Sequence, residues 1–295
     1  MVAIFGPTGI GKTAVAIELA ELLRARGEDP VAISADALQV YRGLEILSGA
    51  ATSEEQERLE HRLLGIVPAT AAFSVGEFMP LAHAEIDDAL AEGRSPIVVG
   101  GTGLYLRAAL TQLDLYPPPP ASVRARWTEE VERRGPAELH RELTERAPWA
   151  VEGIEATDRS RIVRTLELLE MGELEPRGGE SQLWTEHTRH PTLLAGLTME
   201  REELYRRIDE RVDAMLAAGA REEVERVEDA GASRTARKAL GYEELLAGDI
   251  DGMKRRTRQY AKRQLTWMRK LAGARIIDVT TRAPADVAGE IAAGL

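Results

Sequence analysis

The chain has 295 residues, a formal net charge of −11 and no cysteine. That length suits one large α/β domain carrying a smaller insertion, or two modest domains. The missing cysteines exclude disulfides, thiolate zinc sites and a cysteine nucleophile, and the acidic balance confines any nucleic-acid contact to a local basic face.

Five apolar runs read as strands: VAIF at 2–5, VAIS at 31–34, PIVVGG at 96–101, TLLAGL at 192–197 and RIIDV at 275–279. Helical periodicity follows most of them, the pattern of a parallel sheet with helices on both faces. Between the first strand and the first helix lies GPTGIGKT, which fits G-x-x-x-x-G-K-S/T. In such a loop glycines let the backbone wrap an anion, the helix N-terminus adds partial positive charge, and a lysine neutralises phosphate oxygens while the hydroxyl reaches magnesium. Lys12 and Thr13 hold those two positions, and the helix after them sets Val15, Leu19, Leu22 and Leu23 on one side and ends near Gly27.

An ATP-hydrolysing loop of this kind also needs a second strand ending in a magnesium-holding aspartate and an element that reads the base. VAISAD does end in Asp36, but ADALQVYRG then offers Gln39, Tyr41 and Arg42, which suit a second substrate better. A nucleoside kinase stays open as an alternative. At the end of a parallel strand Asp36 faces the crevice where open α/β sheets bind ligands; capping or turn formation explains such an aspartate equally well. The stretch VVGGTGLYLRAAL adds Gly100, Gly101 and Gly103, which allow close backbone approach, and the Thr102 hydroxyl.

The proline run 117–120 opens an Arg- and Glu-rich stretch whose charge spacing predicts a small all-helical insertion over 115–185. The flanking segments, 1–114 and 186–295, form the sheet domain. Apart from the prolines, only the loop around Gly178 and Gly179 is compositionally unusual. Arg207 and Arg211 share a helix face and suit either a diphosphate clamp or exposed ion pairing with Glu203; Arg161 and Arg164 pose the same choice. Residues 253–275 carry nine cations and no acid, and only five of the chain's 38 basic residues are lysine. That stretch is either a solvated cationic helix or an RNA-facing one, with Tyr260, Leu265, Trp267, Met268 and Leu271 too spread for a single apolar stripe.

Taken in order, GPTGIGKT, ISADALQVYRG, IVVGGTGLYLRAAL, RIVRTLEL, RIDERVDAMLAAG, ALGYEELL and TRQYAKRQLTWMRK resemble the bacterial tRNA dimethylallyltransferase family over nearly the whole chain. The resemblance implies transfer of a dimethylallyl group from its diphosphate to the exocyclic amine of the adenosine just 3′ of a tRNA anticodon. The glycine loop, Gly6, Pro7, Thr8, Gly9, Ile10, Gly11, Lys12 and Thr13, would then hold the leaving diphosphate with Arg211 and a magnesium ion on Thr13. Asp36 matches the family's general base and Thr102 the hydroxyl that orients the amine. For tRNA the resemblance implies Asp36, Ala37, Leu38, Gln39, Thr102, Arg124, Ser160, Arg161, Arg164, Gly241, Tyr242, Lys262, Arg263 and Gln264. It also implies dimethylallyl diphosphate and the anticodon stem-loop as partners. A soluble, cytoplasmic protein without membrane contact is expected from the sequence itself, since no apolar run reaches bilayer length and no basic, apolar leader opens the chain, and a monomer is the default expectation.

The chain departs from the family pattern at four places. The usual D-S is Asp36-Ala37; D-I-G-T-A-K-P is Glu45-Ile46-Leu47-Ser48-Gly49-Ala50-Ala51, one lysine fewer; P-H-H is Glu60-His61-Arg62; and the first arginine of a pair is Ser160. These changes bear on tRNA affinity and loop geometry and leave the base and the phosphate loop intact. Rival activities are prenylation of free adenine nucleotides, an ATP-dependent kinase, and RNA binding without chemistry.

Overall fold

The computed structural model describes residues 1–175 and 182–295; the loop around Gly178 and Gly179 lies outside them. Among the described residues there are eight strands: β1 (Val2–Phe5), β2 (Pro30–Ser34), β3 (Tyr41–Arg42), β4 (His61–Arg62), β5 (Val67–Pro68), β6 (Ser95–Gly100), β7 (Leu193–Thr198) and β8 (Arg275–Asp278). Six of them form one sheet in the order β4-β2-β6-β1-β7-β8, with every neighbouring pair parallel. β3 and β5 make a separate parallel pair. The five apolar runs are the five longer strands; the two-residue strands are too short to carry a periodicity.

β1 and β2 are buried at every residue, as expected where helices cover both faces of a parallel sheet. The helix Lys12–Ala25 packs on it through Val15, Ala16, Ile17, Leu19, Ala20 and Leu23. Leu22, expected on that inner face, is instead 37% exposed. The buried arc is wide because helix Pro284–Ala292 adds Val287 and Ile291 to the same core, and it turns toward Ala16 and Ala20, leaving Leu22 at its outer edge.

Two compact units divide the chain: Met1–Leu113 with Gln182–Leu295, and Asp114–Ser181. The first holds the sheet. In the second, helices Ala121–Arg134, Pro136–Arg146 and Arg159–Met171 enclose a core of Trp127, Val131, Leu139, Leu143, Ile162 and Leu166. Each helix contributes apolar residues four apart, so one turn stacks on the next along a single stripe. The Trp127 indole N–H is satisfied by Glu170 at 2.8 Å.

Within the first unit, β2, β6 and β1 are consecutive in the sheet, with Phe5 in register with Gly100 and Ser34 with Val99. The segments leaving their carboxyl ends, which begin at Gly6, Ala35 and Gly101, are therefore neighbours. Sheet order alone brings the glycine loop, Asp36 and Thr102 to one crevice.

Candidate active site

The glycine loop makes its turn with Gly9 at φ 81° and Gly11 at φ 96°, a left-handed backbone that side-chain-bearing residues rarely adopt. Gly11 caps the following helix, which directs that helix's free N–H groups toward the loop. Lys12 keeps some exposed surface as a residue, but its ammonium is enclosed and donates to the carbonyls of Gly6 and Pro7, each at 3.0 Å. Burial lowers its pKa to about 8; the Arg211 cation pushes the same way and the Asp36 carboxylate opposes them.

Asp36 combines the two readings of a strand-end aspartate. Its Oδ1 accepts the Leu38 N–H at 2.9 Å, closing a tight turn, while Oδ2 accepts the Thr102 hydroxyl at 3.2 Å. Thr102 stands at the N-cap of helix Gly103–Leu110 without capping it, so its hydroxyl is free for Asp36. The same oxygen accepts the Ala37 N–H at 3.4 Å and lies 3.3 Å from the Tyr260 hydroxyl. Burial pushes the Tyr260 phenol up to about 12, with the Asp36 carboxylate acting in the same direction.

Gln264 joins these parts. Its Oε1 accepts the Thr8 N–H at 2.9 Å and its Nε2 donates to the Gly101 carbonyl at 2.7 Å. With 5% exposure, its amide is spent on holding helix Ile250–Met268 against the glycine loop, not offered to RNA. Gln39 is occupied in the same way. Its Oε1 accepts the Ser34 hydroxyl at 2.8 Å, and its Nε2 donates to the Gly49 carbonyl at 3.1 Å.

The choice left open for the two arginines on helix Arg201–Ala217 resolves differently for each. Arg207 pairs with Glu203 at 2.7 Å. Arg211 is half-buried, and its Nη2 reaches the Gly49 carbonyl at 3.4 Å. Its Nε has no partner among the described residues, and burial lowers the guanidinium's pKa. The divergent segment from Glu45 forms the short helix Glu45–Ser48, ended by Gly49 at φ 60°. Glu223 holds that helix by accepting the N–H groups of Ile46 at 2.9 Å and Leu47 at 2.8 Å; burial raises this carboxyl.

One cleft of about 740 Å³ is lined by Lys12, Thr13, Asp36, Arg211, Tyr260 and Gln264; Thr102 and Glu223 act on it through the Asp36 carboxylate and the helix Glu45–Ser48 that they hold. His61, from the divergent Glu60-His61-Arg62, also lines it, and burial lowers its pKa. Other expected residues lie elsewhere. Tyr242 is fully buried and donates to Glu228 at 2.9 Å, with Gly241 as its helix's N-cap at φ 93°. Arg124, Ser160, Arg161 and Arg164 belong to the helical unit. There Arg124 donates to the fully buried Glu167 at 2.9 Å, Arg164 donates to the Pro117 carbonyl at 2.6 Å, and Ser160 and Arg161 are exposed.

The basic stretch also divides. Lys254 pairs with Asp213 at 2.6 Å, Arg258 with Asp209 at 2.7 Å, Arg255 with Asp249 at 3.6 Å, and Arg256 with Glu244. These four cations neutralise acids of the same unit. Lys262 and Arg263 are exposed, with Arg263 over the Tyr260 ring at 5.5 Å. Tyr260 is the cleft residue that sequence reasoning left among possible stacking surfaces. The usable signal was spacing: Met253, Thr257, Tyr260 and Gln264 recur at helical intervals and all border the cleft.

A glycine loop between a buried parallel strand and a helix, with Lys12 and Arg211 lining the cleft beyond it, defines an α/β protein built on a parallel sheet. Comparison narrows the class: the model described as "IPP transferase" matches residues 39–271 and that described as "Isopentenyl transferase" matches residues 1–73. A protein of Kineococcus radiotolerans named tRNA dimethylallyltransferase is 39% identical, covering 92% of this chain and 88% of its own; one of the same name from Thermomicrobium roseum is 40% identical over 95% and 86%. The crystal structure of the tRNA isopentenylpyrophosphate transferase of Bacillus halodurans superposes with a TM-score of 0.70 at 33% identity, covering 99% of this chain and 95% of that one. The chain belongs to the IPP transferase family.

Proposed function

We propose that this enzyme transfers a dimethylallyl group from dimethylallyl diphosphate to the exocyclic amine of the adenosine adjacent, on the 3′ side, to a tRNA anticodon. One observation carries the reading: a single cleft holds cations suited to a diphosphate, Lys12 and Arg211, together with a carboxylate suited to an amine proton, Asp36. The relatives' shared name supplies the substrate classes.

The exocyclic amine is a weak nucleophile because its lone pair is delocalised into the purine. As its nitrogen bonds to the allylic carbon, Asp36 takes the amine proton and the carbon–oxygen bond to the diphosphate breaks, its electron pair leaving with the diphosphate. Thr102 orients the Asp36 carboxylate. Lys12 exchanges the Gly6 and Pro7 carbonyls for diphosphate oxygens, and Arg211 adds a second cation where negative charge accumulates. The donor oxygens also meet the N–H groups of the loop and of the helix N-terminus.

Magnesium fits this donor set. No group of three or more His, Asp or Glu converges among the described residues, so Thr13 in the cleft would hold the ion together with the diphosphate's own oxygens, the hard ligands magnesium prefers. Bound there, it would neutralise charge on the leaving group. For the RNA, we assign backbone contact to the exposed Lys262, Arg263 and Arg161, with Arg124 and Arg164 positioned by Glu167. Tyr242 and Gln264 serve as supports, since their polar atoms are engaged within the protein.

We further infer a monomer acting in the cytoplasm, the setting of the tRNA that the relatives' shared name gives as substrate; among the described residues no helix is long and apolar enough to cross a membrane. The deciding experiment is incubation with dimethylallyl diphosphate, magnesium and an anticodon stem-loop carrying adenosine at the expected place, read by mass spectrometry. A gain of one dimethylallyl group on the RNA is expected. Prenylation of AMP with unmodified RNA would move the activity to free nucleotides, and consumption of ATP with a small acceptor would make the protein a kinase.

A further inference from the structure

Resting on the transfer reading above, we propose that Tyr260 is a positioning residue for the Asp36–Thr102 pair, its phenol fixing the hydroxyl that orients the carboxylate. A threonine hydroxyl has one hydrogen and two lone pairs. On Thr102 the hydrogen points to Asp36 Oδ2 at 3.2 Å, and one lone pair faces the Ala37 N–H at 3.4 Å. The third direction is taken by Tyr260, 3.3 Å away. Since the only threonine hydrogen is already spent on the carboxylate, the phenol is the donor. Without it the hydroxyl rotor loses one of the two donors that hold its hydrogen on Asp36.

The phenol is itself held in place. Gln264, four residues further along the same helix, binds the Thr8 N–H and the Gly101 carbonyl. The latch that seats the phosphate loop therefore also sets the distance between Tyr260 and Thr102. The Arg263 guanidinium lies over the ring, 5.5 Å from its centroid. No bond to Tyr260 breaks during transfer: the amine proton goes to Asp36 and the phenol keeps its hydrogen.

Tyr260→Phe deletes the hydroxyl and retains the ring. In single-turnover reactions it lowers the transfer rate about three- to tenfold, the worth of one neutral hydrogen bond, while donor and stem-loop affinities and the melting temperature stay at wild-type values. Because Tyr260 acts through Thr102, the double variant Tyr260→Phe/Thr102→Val is as slow as Thr102→Val alone. Multiplying effects in the double variant overturn the proposal. So does a fully active Tyr260→Phe beside a Tyr260→Leu variant that loses RNA affinity, which would make the ring a stacking platform. Wild-type enzyme run in parallel separates the two levels: if it leaves the RNA unprenylated, the transfer reading itself fails and this inference falls with it.

Discussion

A Cβ added at Gly49 would stand 1.6 Å from Nη2 of Arg211. The obstacle is the far end of a flexible side chain, so Gly49→Ala displaces the guanidinium and leaves the fold standing. The left-handed backbone, φ 60°, adds a strain on the order of 1 kcal/mol. The expected outcome is a small fall in melting temperature and a donor KM raised about tenfold or more, the worth of a hydrogen bond to a charged group. An unchanged KM would detach Arg211 from the diphosphate.

Asp36→Asn keeps shape and removes basicity. Transfer should slow by about two to four orders of magnitude, with stem-loop affinity retained in a filter-binding or fluorescence titration. A variant that still prenylates RNA at the wild-type rate would remove Asp36 as the base.

Lys12 gives a pH dependence whose sign follows from its pKa, lowered from 10.5 to about 8. Between those values the unfolded chain carries a proton that the folded chain lacks, so the lysine's contribution to the stability of the ligand-free protein rises with pH across that window and is a penalty at neutral pH. Diphosphate binding runs the other way, because the anion needs the charged form: donor affinity should weaken as pH rises through about 8. In Lys12→Met both trends should flatten, measured by melting temperature and by donor titration on either side of that pH.

Gln264→Leu leaves the Thr8 N–H and the Gly101 carbonyl without their partner. Each buried orphan costs about 1–3 kcal/mol, so the unfolding midpoint in urea should drop clearly. If Gln264 serves RNA alone, the midpoint will not move.

The divided basic helix makes a contrast. Replacing Lys262 and Arg263 by alanine removes two exposed cations that have no carboxylate partner among the described residues and should flatten the salt dependence of stem-loop binding by about 1.4 in log–log slope, at 0.7 per single-strand phosphate contact. Arg258→Ala breaks the ion pair with Asp209 and should leave that slope in place.

Much of this protein was legible locally. Gly6 to Thr13 announce a phosphate loop because the glycines, the lysine and the hydroxyl lie within eight consecutive residues. β1, β2, β6 and β7 were visible because the inner strands of a parallel sheet are largely apolar, and β8, exposed at three of its four residues, showed only through Ile276 and Ile277. The cationic character of 253–275 was equally plain, being a matter of counting.

What the sequence left undecided was which polar group meets which. Thr102 is 66 residues from Asp36, and Gln264 is 256 from Thr8; these partners meet because β2, β6 and β1 are neighbours in the sheet and helix Ile250–Met268 packs along the crevice. For the same reason Arg207 and Arg211, indistinguishable by spacing, part company: Glu203 on the same helix claims one, while Gly49 on a distant loop receives the other. Periodicity assigns a residue to a face of its own element. Only the packing of elements determines what that face touches, and so whether a charge is neutralised, buried or left for a ligand.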